Sequence, residues 1–165
     1  MYLIDGNNVM GQRVGWHRDK PAARRRLLDD LVHLARVRKI RIGVVFDGRP
    51  DTAFPDGSSF QGVKIYYASP GSDADTRLVE LVEAARERRN LTVITSDGQL
   101  TSQIRVRGVR VMRSGEFRGW IDAAWQLPAA EDQPRIKNDE MGSWLRYFGV
   151  EPDEGADEEP DEEPD

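Results

Sequence analysis

The sequence predicts an α/β domain built on a central, mainly parallel five-stranded sheet, and three observations lead there. Short β-branched apolar runs alternate with longer helix-periodic stretches, as parallel strands joined by crossover helices require. Each run ends at or near Gly, Asp or Ser, residues that close strands and open turns. The 165 residues are about the size of one domain, commonly roughly 100–150 residues, with one sizeable core.

In chain order, the expected strands are Tyr2 to Ile4, Arg41 to Phe46, Val63 to Tyr67, Leu91 to Thr95 and Val109 to Met112. The first helix is expected from Pro21 to Arg38, because proline suits a first helical turn and Leu27, Leu28, Leu31, Leu34 and Ala35 share a face. From Ser72 to Arg88 the positions Leu78, Leu81, Val82 and Ala85 form one apolar stripe opposite a charged face. Shorter helices are expected over Gln99 to Val106 and Glu116 to Gln126. Between the second and third strands, Gly48 to Gly62 is rich in Gly, Pro, Asp and Ser, and reads as a long loop of the functional or mobile kind. Residues 1–127 thus read as the domain. A linker and an amphipathic helix carrying Trp144, Leu145, Tyr147 and Phe148, expected to pack back on the domain, account for 128–150, and an acidic, disordered tail for 151–165.

Composition narrows the chemistry. With no cysteine in the chain, disulfides, thiol catalysis and cysteine-bound zinc are excluded, and any metal has to be held by oxygen or histidine. Met1 to Asp5 lack the basic start and apolar stretch of a signal peptide, and no apolar run spans a membrane, so a soluble cytoplasmic protein with no membrane partner is expected. The net charge of -5 conceals a split: Glu151 to Asp165 hold ten of the 29 acids and no Lys or Arg, so the remainder is basic.

Three expected strands end in Asp-Gly: Asp5-Gly6, Asp47-Gly48 and Asp97-Gly98. Ligands of open parallel sheets bind outside the carboxyl ends of the strands, so these aspartates are expected on one rim. Asp75, in the first turn of the helix after the third strand, joins them, with Asp73 as a neighbour able to replace it. Each alone has an ordinary structural explanation. Asp-Gly is a common turn pair, Asp97 suits a helix cap, and Ser72 with Asp75 has capping-box spacing. Together, several acids at one edge repel one another at a cost in stability that a divalent cation removes. Oxygen ligands suit Mg²⁺ or Mn²⁺, which bridge carboxylates to phosphate, and the chemistry implied is phosphodiester hydrolysis.

Asp5-Gly6-Asn7-Asn8-Val9, Val44-Val45-Phe46-Asp47-Gly48, Gly71-Ser72-Asp73-Ala74-Asp75 and Thr95-Ser96-Asp97 resemble, in order and spacing, the YacP-like family in the NYN branch of PIN-like nucleases. The resemblance covers about residues 1–127. It implies a three-layer PIN-like sandwich and a metal-dependent endoribonuclease site. Carried across position by position, the acidic pocket falls on Asp5, Asp47, Asp75 and Asp97, with Asn8 and Ser96 as polar supports. Asp5 and Asp97 are the expected principal metal ligands, with Asp47 and Asp75 binding directly or through water. The resemblance also favours RNA over DNA, with mRNA on the ribosome as one candidate setting.

An acidic pocket repels a polyanion, so basic residues are needed around it. Arg13 and Arg18 flank Trp16 and His17, a combination suited to phosphate contact and base stacking, although a loop anchor buried in the core is the reading favoured for Trp16. Arg24 and Arg25 open the first helix, and Arg49 follows Asp47. The alternatives are a structure-specific DNA nuclease and a non-catalytic RNA- or ribosome-binding module. The oligomeric state carries no signal in the sequence.

Overall fold

The structure, a computed structural model, describes residues 1–127. The linker, further helix and acidic tail expected at 128–165 lie outside the described residues. The elements run β1 (Tyr2–Asp5), α1 (Gly6–Met10), α2 (Lys20–Arg38), β2 (Ile42–Phe46), β3 (Ser59–Phe60), β4 (Val63–Tyr67), α3 (Ala74–Ala84), β5 (Thr92–Ile94), α4 (Gly98–Arg105), β6 (Arg110–Met112) and α5 (Ser114–Gln126). Single 3₁₀ turns cover Trp16–Arg18 and Arg88–Asn90.

The sheet has six strands in the order β3-β4-β2-β1-β5-β6. Every pairing is parallel except β3 with β4. The mainly parallel sheet is as expected, with one strand more. The addition, β3, is a two-residue antiparallel edge inside the 48–62 loop, too short to show an alternating pattern.

Strand alternation sorts the core onto two faces. Ile4, Val44, Phe46 and Ile94 pack with α1, α2 and α5, while Leu3, Val45 and Val93 pack with α3 and α4. The stripe Leu27, Leu28, Leu31 and Leu34 is buried, as its helical spacing requires.

Three segments differ from expectation by more than one residue. The segment after β1, read as a loop, contains α1, a single short helix capped by the Asp5 side chain. The helix expected from Ser72 to Arg88 begins at Ala74 and stops at Ala84. Its cap is Asp73 and not Ser72, so the Ser72/Asp75 capping box does not form. Beyond Ala85 there is no apolar residue to continue the stripe until Leu91, which is buried at the entry to β5. The last helix begins two residues earlier than Glu116, at Ser114.

The 48–62 loop is tied down. The Asp56 carboxylate accepts from the Tyr67 backbone N–H at 2.8 Å, and the Asp51 N–H donates to the Tyr67 hydroxyl at 3.3 Å. The Arg25 guanidinium lies over the rings of Phe54 and Phe60.

Candidate active site

Because β2, β1 and β5 are neighbours running in one direction, Asp47, Asp5 and Asp97 fall at three adjacent carboxyl ends. Asp75 enters from the first turn of α3. Their charges bear on one another. Burial pushes the Asp5 carboxyl up to about 6, helped by the charges of Asp75 and Asp47 and opposed by hydrogen bonds from the Asn8 N–H and the Thr95 hydroxyl. Asp75 is also raised, first by burial and then by Asp97, Asp73 and Asp47. The four acids thus form one electrostatic cluster, as the strand-end argument expects.

Asp73 plays a different part. It is exposed, caps α3 by accepting from the Thr76 N–H at 2.8 Å, and its carboxyl is lowered mainly by that bond. The structure therefore separates the two neighbours: Asp73 holds the helix end and Asp75 joins the cluster.

A polar network fixes the other acids. Asp5 accepts from the Asn8 N–H at 3.1 Å and from the Thr95 hydroxyl at 3.1 Å. Thr95 Oγ1 in turn accepts from the Asp97 N–H at 3.1 Å. Thr95, fully buried, therefore links Asp5 and Asp97. Asp97 Oδ1 caps α4 by accepting from the Leu100 N–H at 2.7 Å, so the cap reading of Asp97 holds alongside its place in the cluster. Asp47 accepts from the Asn7 side-chain amide at 3.1 Å and the Ala74 N–H at 2.7 Å, which ties α1 and α3 to the end of β2.

Asn8 Oδ1 accepts from the Ser96 N–H at 3.0 Å and from the Ser114 hydroxyl at 2.6 Å. The Ser96 hydroxyl accepts from the Ser114 N–H at 3.0 Å. Asn8 is a helical residue, not one in a positive-φ loop conformation. Sequence reasoning missed Ser114, Thr95 and Asn7. Thr95 alone carried a signal, since a polar residue at the end of an apolar strand has to find a buried partner.

The donor set accommodates a hard divalent cation. All the donors are oxygens, and the buried Asn7 Oδ1 accepts no hydrogen bond, leaving an orphan acceptor beside Asp47 that suits a cation or its water. Among the described residues no three carboxylate or imidazole groups form a ready-made ligand set. A cation bound here would therefore be held directly by one or two carboxylates, with the others acting through water.

The basic residues divide. Arg24 donates to the carbonyls of Asp47 and Arg49, the latter at 3.3 Å, and lies over the Phe46 and Tyr67 rings. Its N–H groups therefore hold the end of β2. Arg25 pairs with Asp29 and covers Phe54 and Phe60. Arg13 is paired with Asp30 at 3.2 Å. Trp16 is half-buried against the core, consistent with a loop anchor, while His17, Arg18 and Arg49 are exposed. His33, mid-helix in α2, stacks on Trp125 with ring centres 3.8 Å apart.

The family model described as the YacP-like NYN domain matches residues 2–143. The chain belongs to the YacP-like NYN family. This is a family of nuclease-type domains, and membership supports ribonuclease activity in general. Among solved structures, the chain is similar to Rae1 (YacP) from Bacillus subtilis, with a TM-score of 0.60 at 21% identity, over 88% of this chain and 83% of that one. A point mutant of the same protein gives 0.63 at 20% identity, over 76% of each chain. At that identity the likeness concerns the fold, and it bears out the PIN-like architecture. A search of curated proteins found no match.

Proposed function

We propose that this chain is a divalent-metal-dependent endoribonuclease that hydrolyses RNA phosphodiester bonds. The observation that carries the reading is the cluster of Asp5, Asp47, Asp75 and Asp97 at the carboxyl edge of the sheet, where burial and mutual repulsion raise Asp5 and Asp75. Mg²⁺ or Mn²⁺ would be held chiefly by Asp5 and Asp97, with Asp47, Asp75 and the Asn7 amide oxygen contacting it directly or through water. When bound, such a cation supplies a lowered pKa for water and neutralises charge on the phosphoryl and leaving oxygens.

The protein's own contribution is positional. Thr95 orients Asp5 and fixes the backbone of Asp97, while Asn8 and Ser114 hold the Ser96 turn. Exposed Arg49, two residues beyond Asp47 in the chain, and exposed Arg18 offer phosphate affinity for the strand. RNA is assigned as substrate through the family, and mRNA presented on the ribosome is a proposed form of it. The cytoplasm follows as the proposed compartment; among the described residues no helix is long and apolar enough to cross a membrane.

The test is cleavage of end-labelled single-stranded RNA, matched DNA and ribosome-bound mRNA with Mg²⁺ or Mn²⁺, comparing wild type, Asp97→Asn and an EDTA control. Melting temperature with and without Mg²⁺ gives a second readout. Asparagine still caps a helix, so Asp97→Asn keeps the fold. It is expected to lose cleavage by on the order of 100-fold or more, together with part of the Mg²⁺ stabilisation. Equal cleavage by the variant would refute the site. Absence of both cleavage and Mg²⁺ stabilisation would turn the reading towards a binding module.

A further inference from the structure

A pocket of about 260 Å³ opens between the 11–19 loop, the first half of α2 and α5. None of the four clustered acids lines it. Two elements join it to them. Helix α1 starts directly after Asp5 and ends at Met10, in the pocket wall, about 7.5 Å along a helix that rises 1.5 Å per residue. Helix α5 begins at Ser114, which bonds Asn8, and presents Arg118 to the pocket one turn later.

The pocket has three kinds of surface. Its wall is apolar and aromatic, including Met10, Val14 and Trp16, and the Val14 side chain stands in water at 105% exposure. Its polar floor is the buried Asp30 carboxylate. One oxygen of Asp30 accepts from Arg13 at 3.2 Å and Arg118 at 3.1 Å, and the other accepts from the Trp125 indole N–H at 3.0 Å. Both oxygens are thus satisfied, and two guanidinium groups face one carboxylate. At the mouth, Arg18 and Arg26 are exposed and make no ion pair among the described residues. The nearby Asp19 carboxylate is engaged in capping α2 through the Ala22 N–H.

We propose that this pocket holds one nucleotide of the RNA strand beside the scissile bond, its base against Trp16 and its phosphate between Arg18 and Arg26. The proposal rests on the ribonuclease reading and adds to it a subsite for the strand. The volume, equal to roughly nine waters' share of bulk liquid, suits a base with its sugar. An aromatic wall with cations at the mouth is what single-stranded RNA needs for stacking and phosphate contact.

The test uses the Asp97→Asn chain, expected to bind without cutting, and short fluorescent RNAs carrying one abasic site at successive positions, with affinity read by anisotropy. An abasic site at one position is expected to weaken binding about five- to a hundredfold, the size of a lost stacking contact. Adding Trp16→Leu should reduce that penalty to less than about twofold, because the contact is already gone. Should Trp16→Leu fail to fold, photocrosslinking of 5-iodouridine at the same position to a peptide containing Met10 or Trp16 carries the test. Small, even penalties along the strand, or a penalty that survives Trp16→Leu, or a crosslink only elsewhere, would overturn the subsite and leave the ribonuclease reading standing. If wild type neither binds nor cuts any RNA, the ribonuclease reading falls and the subsite with it.

Discussion

Replacing Asp5 by Asn tests the electrostatic cluster without requiring substrate. In the metal-free protein the Asp5 carboxyl is raised from 3.8 to about 6, and at about 1.36 kcal/mol per pKa unit this corresponds to about 3 kcal/mol. The folded state binds the Asp5 proton more tightly than the unfolded chain does. The associated stability is therefore present in full below pH 3.8 and is lost as pH rises to about 6. The Asn side chain does not titrate, and it keeps an acceptor for the Asn8 N–H, although its fit to the Thr95 hydroxyl worsens, at a cost of about 1 kcal/mol.

Urea unfolding of both proteins in EDTA, from about pH 3.5 to pH 7, reads the difference directly. Asp5→Asn is expected to be level with wild type or about 1 kcal/mol less stable at the acid end. It should be about 2 to 3 kcal/mol more stable at the neutral end, a swing of about 3 kcal/mol. Asp75, raised in the same direction, is present in both proteins and largely cancels. Adding Mg²⁺ at neutral pH should then stabilise wild type more than the variant, by linkage. A stability difference that stays flat across this range, or slopes the other way, would refute the claim that Asp5 is buried among like charges.

Three further outcomes are expected. Asp73→Ala should lower stability by about 1 kcal/mol through loss of the α3 cap and leave cleavage intact, whereas Asp75→Ala should fold and lose cleavage; thermal melts and RNA cleavage together separate them. Ser114→Ala removes a buried hydroxyl that donates to Asn8 at 2.6 Å, so it should cost about 1 kcal/mol and lower kcat more than it alters KM. Gly6→Ala would place a Cβ 2.6 Å from the Phe46 ring and 2.8 Å from the Val45 carbonyl, and a loss of about 1–3 kcal/mol on urea unfolding is expected.

The sheet and its large helices were legible because their signals are periodic and repeated. The strand Ile42–Phe46 is apolar throughout and is one of the two central strands, and α2 repeats leucine at helical spacing over several turns. The acids were legible because they follow strands that run the same way. What escaped was local or depended on partners distant in sequence. Helix α1 is five residues long, too short for a period, and its Gly-Asn-Asn start reads as a turn. Asp30 looks like one more charge on an arginine-rich helix. It is buried only because Arg13, Arg118 and Trp125 arrive from 17, 88 and 95 residues away. Arg24 looked like a phosphate ligand for the same reason: nothing in its neighbourhood reveals the carbonyls of Asp47 and Arg49 that it serves.

The strand order has a consequence for biosynthesis. Strand β1, made first, ends between β2 and β5, so Asp5 waits for both flanking strands before its surroundings exist. Asp97 comes later, and Ser114, which locks Asn8 and Ser96, later still. A chain emerging from its N-terminus can assemble the earlier strands, but contacts spanning more than a hundred residues have to wait for the far partner and form slowly. The proposed hydrolytic site is therefore completed late in synthesis, after most of the domain has been made, and truncated nascent chains carry the acids without the frame that aligns them.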